Sequence, residues 1–160
     1  MEAAMIVNRS HDPLVIRIML EKFWKAIAED GLSLDDAVID TENIYWLLIK
    51  EGDQILGMFT LIPLNEVTLD GHAHVLPEHR DKAKEIGLMS IKWLLDNVDQ
   101  KYQKLNTQVP TIYPNVYHYT LKIGLKDEGL NRLSYRKNGE LHDQHMVGAT
   151  RDELIKFIEG

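Results

Sequence analysis

The sequence contains no cysteine. That excludes disulfides, thiolate nucleophiles and thiolate metal ligands, and it is compatible with a reducing compartment. Cations are in short supply: 18 Lys and Arg stand against 25 Asp and Glu, for a net charge of −7. A general nucleic-acid binder needs a clustered cationic face to neutralise phosphates, so no nucleic-acid partner is expected. No apolar run approaches the roughly 20 residues of a membrane span, and residues 1–8 lack the basic flank and apolar stretch of a signal peptide. The expectation is a soluble, cytoplasmic protein with no membrane partner. Repeats, linkers and low-complexity segments are also missing, so the 160 residues are expected to form a single domain, 1–160, with a sizeable core.

The elements follow from periodicity and punctuation. Residues 4–7 form a short apolar run, read as a first strand. Ser10, His11 and Asp12 offer caps and Pro13 suits a first helical turn. Leu14, Ile16, Ile18, Met19, Phe23, Trp24, Ile27 and Ala28 make the apolar stripe of a helix ending near Asp30-Gly31, and 33–39 reads as a short second helix. Residues 44–50 and 54–62 are β-prone runs joined by Glu51-Gly52-Asp53, with Gly57 marking a bulge or a close approach. A third strand, 66–76, carries an expected interruption at Asp70-Gly71. Residues 104–111 are a strand, and 114–123 are a short helix closed by Gly124. Residues 130–136 and 141–148 flank the Asn138-Gly139 hairpin signal, and 152–158 supply a last helical turn or two. The order is β-α-α-β-β-β-α-β-α-β-β, a mixed α/β sheet of about six to seven strands.

The stretch 71–97, GHAHVLPEHRDKAKEIGLMSIKWLLDN, organises the rest. His72 and His74 alternate onto one face of the strand end. Pro77 stops the ladder because it has no N–H. Arg80, Lys82 and Lys84 then precede a helix whose apolar stripe includes Met89, Trp93 and Leu94. A strand that turns into a helix N-terminus gathers free N–H groups and partial positive charge, suited to a phosphate or diphosphate. A histidine titrating near neutrality suits proton abstraction from an amine. His142 and His145 fall on opposite faces of one strand and make a poor metal pair, so no metal is expected.

This order and these motifs resemble the Gcn5-related N-acetyltransferase (GNAT) family over roughly 44–154. PEHRDKAKEIG resembles the family's acyl-CoA diphosphate loop. IGLKDEGLNRLSYRKNGELHDQHMVGATRDEL resembles the end of the branch that acetylates ribosomal-protein N-termini, through Gly124-Leu125, Glu128-Gly129, Arg132, Asn138-Gly139, Asp143 and Glu153. The resemblance implies a sheet splayed at an acyl-CoA gap between strands 66–76 and 104–111. It implies acetyl-CoA as co-substrate, held by His74, Val75, Leu76, Arg80, Asp81, Lys82, Ala83, Lys84, Glu85 and His118. His72, His74 and Tyr119 become the candidate catalytic groups, and the acceptor is a small-molecule or protein amine.

Two departures stand out. The segment 80–85 has no glycine and places Glu85 where the family has a small residue. Thr120 occupies the position, four before Gly124, where many members place a proton-donating tyrosine. Both departures favour an alternative: a weakened or inactive GNAT-fold binding or assembly module with a protein partner, of the kind found in phages, located in host cytoplasm or virion.

Overall fold

The computed structural model describes residues 3–160, apart from the side chain of Ile27. The ends of two expectations, the signal-free start at Met1 and the Ile27 position of the first helical stripe, lie outside the described residues. The elements are β1 (Met5–Ser10), α1 (Pro13–Ile27), β2 (Tyr45–Glu51), β3 (Gln54–Pro63), β4 (Thr68–Val75), α2 (Ala83–Asn97), β5 (Lys104–Pro110), α3 (Pro114–Lys122), β6 (Lys126–Lys137), β7 (Glu140–Thr150) and α4 (Arg151–Glu159). They form one seven-stranded mixed sheet in the order β1-β2-β3-β4-β5-β7-β6. No described helix is long and apolar enough to cross a membrane.

Two cores sandwich the sheet. On one face Ile16, Met19, Leu20 and Phe23 of α1 pack on Trp46, Leu48 and Met58. On the other, Ile86, Ile91 and Leu94 of α2 and Leu154 of α4 pack on Leu47, Phe59, Leu61, Leu69, Leu105 and Val147. Each fully buried side chain of this size contributes about 1.5–3 kcal/mol. Alternation along the strands makes both faces possible: Leu47 and Leu48 on β2 serve opposite cores.

Local chemistry sets the ends. Asp12 accepts from the Leu14 N–H at 3.0 Å and Pro13 opens α1. Asn138 and Gly139 take φ of 53° and 79°, the left-handed pair that a tight hairpin turn needs, and join β6 to β7. In β3, Ile49 pairs with Gly57 but Lys50 pairs with Ile55, which is the expected bulge. A β-carbon at Gly57 would lie 2.6 Å from the His74 carbonyl oxygen.

Four expectations are corrected. The helix expected over 33–39 is a single 3-10 turn, Leu34–Asp36, because Ser33 caps it but it has no buried residue to hold a longer helix. The strand expected from Glu66 begins at Thr68, since Asn65 Oδ1 accepts from the Val67 and Thr68 N–H groups and folds them into a turn. Asp70-Gly71 does not interrupt that strand: both residues are paired to β3, at Ile62 and Leu61. The closing turn or two is the nine-residue α4, fixed by a capping box between Thr150 and Glu153.

Candidate active site

β4 and β5 run parallel but pair only at Thr68–Lys104, Leu69–Leu105 and Asp70–Asn106. Beyond that point each strand follows its other neighbour, β4 staying with β3 as far as Val75 and β5 with β7 as far as Pro110. The two therefore diverge into a wedge. A cavity of about 480 Å³ fills it, walled by 71–74 of β4 and 107–110 of β5. Val116, Tyr119, Thr120 and Ile123 close one side; Ala26, Tyr113, Tyr135 and Gln144 line the other. This volume lies within the roughly 300–1,000 Å³ of small-molecule sites. The splayed sheet implied by the resemblance is present, and its gap is open.

Strand alternation sends Asp70, His72 and His74 to the α1 side of β4. His74 is mostly buried, its ring centroid 5.2 Å from that of Phe23. Burial, with a smaller contribution from neighbouring His72, lowers its pKa from 6.5 to about 4, so His74 is neutral at pH 7. His72 has a different environment. Its Nε2 lies 2.7 Å from Asp70 Oδ2, and Gln108 Nε2 reaches from β5 to donate to Asp70 Oδ1 at 3.0 Å. Both histidines border the cavity.

The turn after β4 is a 3-10 helix, Pro77–Lys82, kinked at His79, and α2 begins at Ala83. Among the described residues, no side chain caps the start of α2. Ala83 is helical, with φ −57° and ψ −43°, so the missing glycine costs this backbone no strain. Arg80 borders the cavity. Asp81, Lys84 and Glu85 are exposed, and Lys82 Nζ donates to Glu51 Oε1 of β2 at 2.7 Å. Val75 packs against the α2-side core. The Leu76 backbone is engaged at both ends, donating to Leu56 O and accepting from the His79 N–H.

On α3, the Tyr119 hydroxyl donates to the Ala83 carbonyl at 2.7 Å, and burial raises its pKa, so it holds its proton. Thr120 Oγ1 donates to Tyr117 O at 2.6 Å. His118 is exposed beside the Tyr117 ring, outside the cavity lining. Tyr117 itself stacks on His145 at 3.9 Å and donates to Asp127.

The structure thus brings His72, His74, Arg80 and Tyr119 to one cavity. Sequence reading missed Asp70, Gln108, Tyr113, Tyr135 and Gln144. For Asp70 a signal existed: it stands two residues before His72, on the same strand face. The others come from elements that only the fold brings near.

No protein-family model and no curated protein matches the chain. Solved structures do. The spermidine N-acetyltransferase from Vibrio cholerae in complex with CoA and spermine superposes with a TM-score of 0.74 at 14% identity, over 94% of this chain and 98% of that one. The SpeG spermidine/spermine N-acetyltransferase of Vibrio cholerae in complex with manganese ions gives 0.74 at 12%, over 95% of each chain. A chimera of Vibrio cholerae SpeG and hSSAT gives 0.77 at 14%, over 94% and 98%. These likenesses span nearly the whole chain and show its fold: the chain has the GNAT fold of these N-acetyltransferases.

Proposed function

We propose that the protein is an acyl-CoA-dependent N-acyltransferase that moves an acetyl group onto a primary amine by direct attack. The open wedge between β4 and β5 carries this reading: it leaves two strand edges facing a cavity instead of a ladder, with Arg80 and the uncapped start of α2 at one side. Acetyl-CoA would supply the activated thioester carbonyl. The β4 edge around His74 and Val75 would take the pantetheine arm, with Leu76, its backbone already bonded at both ends, closing that edge. Segment 80–85 would take the diphosphate, with Arg80 and Lys84 as charges, Ala83 as helical backbone, and Asp81, Lys82 and Glu85 turned away. His118 would meet the outer part of the molecule. His72 accepts the proton that the amine sheds, while neutral His74 walls the pocket as the weaker base. Tyr119, kept protonated by burial, supplies the proton for the departing thiol once it releases Ala83.

The CoA and spermine complex of the Vibrio cholerae neighbour supports a small-molecule amine as acceptor. The resemblance of 123–154 to the ribosomal-protein branch supports a protein N-terminus.

A second reading is favoured by Thr120 at the family's tyrosine position and by the glycine-free 80–85. It is a GNAT-fold binding or assembly module without turnover, in a phage virion or host cytoplasm. One experiment separates the two. Acetyl-CoA at a hundred times its dissociation constant adds roughly 2.7 kcal/mol to stability, read as a raised Tm, and thiol release in the presence of primary amines reads turnover. A shift with turnover supports the enzyme, and a shift alone supports the module. No shift at millimolar acetyl-CoA overturns the acyl-CoA reading, and Arg80→Ala is expected to shrink the shift.

A further inference from the structure

We infer that Asp70 and Gln108 are positioning residues that lock His72 in the tautomer with its proton on Nε2, leaving Nδ1 as the proton acceptor of the site. The inference rests on the acyltransfer reading for its chemistry, but its geometry stands alone.

The carboxylate of Asp70 can only accept. His72 Nε2, 2.7 Å from Asp70 Oδ2, must therefore carry a hydrogen. A neutral imidazole has one N–H, so Nδ1 keeps its lone pair. His72 borders the cavity and Asp70 does not. The carboxylate thus acts on the reacting groups only through the ring.

Gln108 explains why the arrangement is specific to this wedge. The last registered pair is Asp70–Asn106. Two residues further along parallel strands, His72 and Gln108 would face each other if the ladder continued. It does not, and Gln108 instead reaches back across the opening to donate to Asp70 Oδ1 at 3.0 Å. Asp70 thus has one oxygen held by the opposite wall of the cavity and the other by the histidine. The carboxylate cannot rotate without breaking both bonds. During transfer the amine proton moves to His72 Nδ1, the N–C bond forms and the C–S bond breaks. The ring becomes a cation beside an ionised carboxylate already in contact with it, which stabilises that charge. His74 packs on Phe23 instead and stays outside the relay.

The contact with Gln108 makes a sharp prediction for Asp70→Asn. An amide has one accepting oxygen and one donating nitrogen. With Gln108 held in its present orientation, its NH₂ takes the oxygen, so the introduced NH₂ is expected to face His72. Nε2 then has to accept, and the ring proton moves to Nδ1. The base is removed with no change of shape. Adding Gln108→Glu reverses the demand: the introduced carboxylate takes the amide NH₂, the amide oxygen returns to His72, and Nε2–H is restored.

The test uses the full chain and two readouts. Nitrogen-15 shifts of the His72 ring report which nitrogen is protonated and need no substrate. Steady-state thiol release from acetyl-CoA reports turnover. In the native protein the shifts are expected to show Nε2–H. Asp70→Asn is expected to show Nδ1–H, with kcat lower by about a hundredfold or more and KM for acetyl-CoA within about threefold. The double variant Asp70→Asn with Gln108→Glu is expected to recover Nε2–H and at least about tenfold of the lost kcat. Nδ1–H in the native ring overturns the inference, even if no variant folds. So does an unchanged tautomer in Asp70→Asn, or a double variant that recovers neither. A native protein with Nε2–H but no turnover on any amine overturns the acyltransfer reading and leaves the tautomer lock in place.

Discussion

The two ends of α2 are finished in opposite ways. At its C-terminus the Arg151 guanidinium, buried at the start of α4, donates to the carbonyls of Leu95, Val98, Asp99 and Tyr102 at 3.2, 3.1, 3.3 and 2.9 Å. A cation there also complements the helix dipole. At its N-terminus no described side chain provides a cap, the first turn holds exposed Glu85, and the nearest anchor is the Tyr119 hydroxyl on Ala83 O. One end is closed with the protein's own donors. The other keeps its charge available beside the cavity. Under the proposed function, stability and ligand recognition fall to different ends of one helix, and each end can be changed separately.

Arg151→Met sharpens this contrast most. It strands four carbonyls at about 1 kcal/mol each, so urea denaturation should show a loss of roughly 4 kcal/mol. Acetyl-CoA affinity, corrected for that loss, should not change; a large affinity change would break the comparison. Acid is expected to act on the cavity end instead. His74 titrates near 6.5 when unfolded and about 4 when folded, so the unfolded chain binds the extra proton between these values. Stability present above pH 6.5 is then lost as pH falls towards 4, on the order of 3 kcal/mol in full. Urea midpoints at pH 7, 6, 5 and 4 should fall in that order, and His74→Leu should flatten the slope. Gly87→Ala probes the seat of Tyr119, because a β-carbon there would run into the Tyr119 hydroxyl. It should cost about 2 kcal/mol by overpacking and release that hydroxyl from Ala83. Glu85→Gln should have the smallest effect on stability, a loss of about 0.5 kcal/mol from the helix dipole, while acetyl-CoA binding tightens. Weaker binding would show that segment 80–85 does not hold the diphosphate.

Much of the fold was legible because its signals are local. Pro13 after Asp12, the Asn138-Gly139 turn, Gly124 behind α3 and the bulge at Gly57 each act within a few residues of themselves. The 33–39 helix failed for a complementary reason. Its start signal is real, since Ser33 caps the turn, but a helix needs a broad apolar face to bury, and this segment seats only Leu34 and Ile39, each partly buried, against the core. Histidine pairing on β4 was also readable from alternation. What makes the two histidines different was not. Asp-Gly reads as a turn, and only the strands on either side keep Asp70 in the sheet. Gln108 lies 38 residues from Asp70, and Lys82 finds Glu51 from 31 residues away. Such partnerships depend on the crossing of β4 and β5 and on the approach of the 77–82 turn to β2, which no short pattern encodes.

The brevity of the β4–β5 seam has an energetic consequence. A visitor that slides between two fully zipped strands would first have to unzip them, giving back every bond it gained. Here the ladder stops at Asp70–Asn106 by construction. Under the proposed function, a guest with amide groups along its length would displace solvent instead of a ladder, and the bonds it made to the two open edges would count in favour of its own retention.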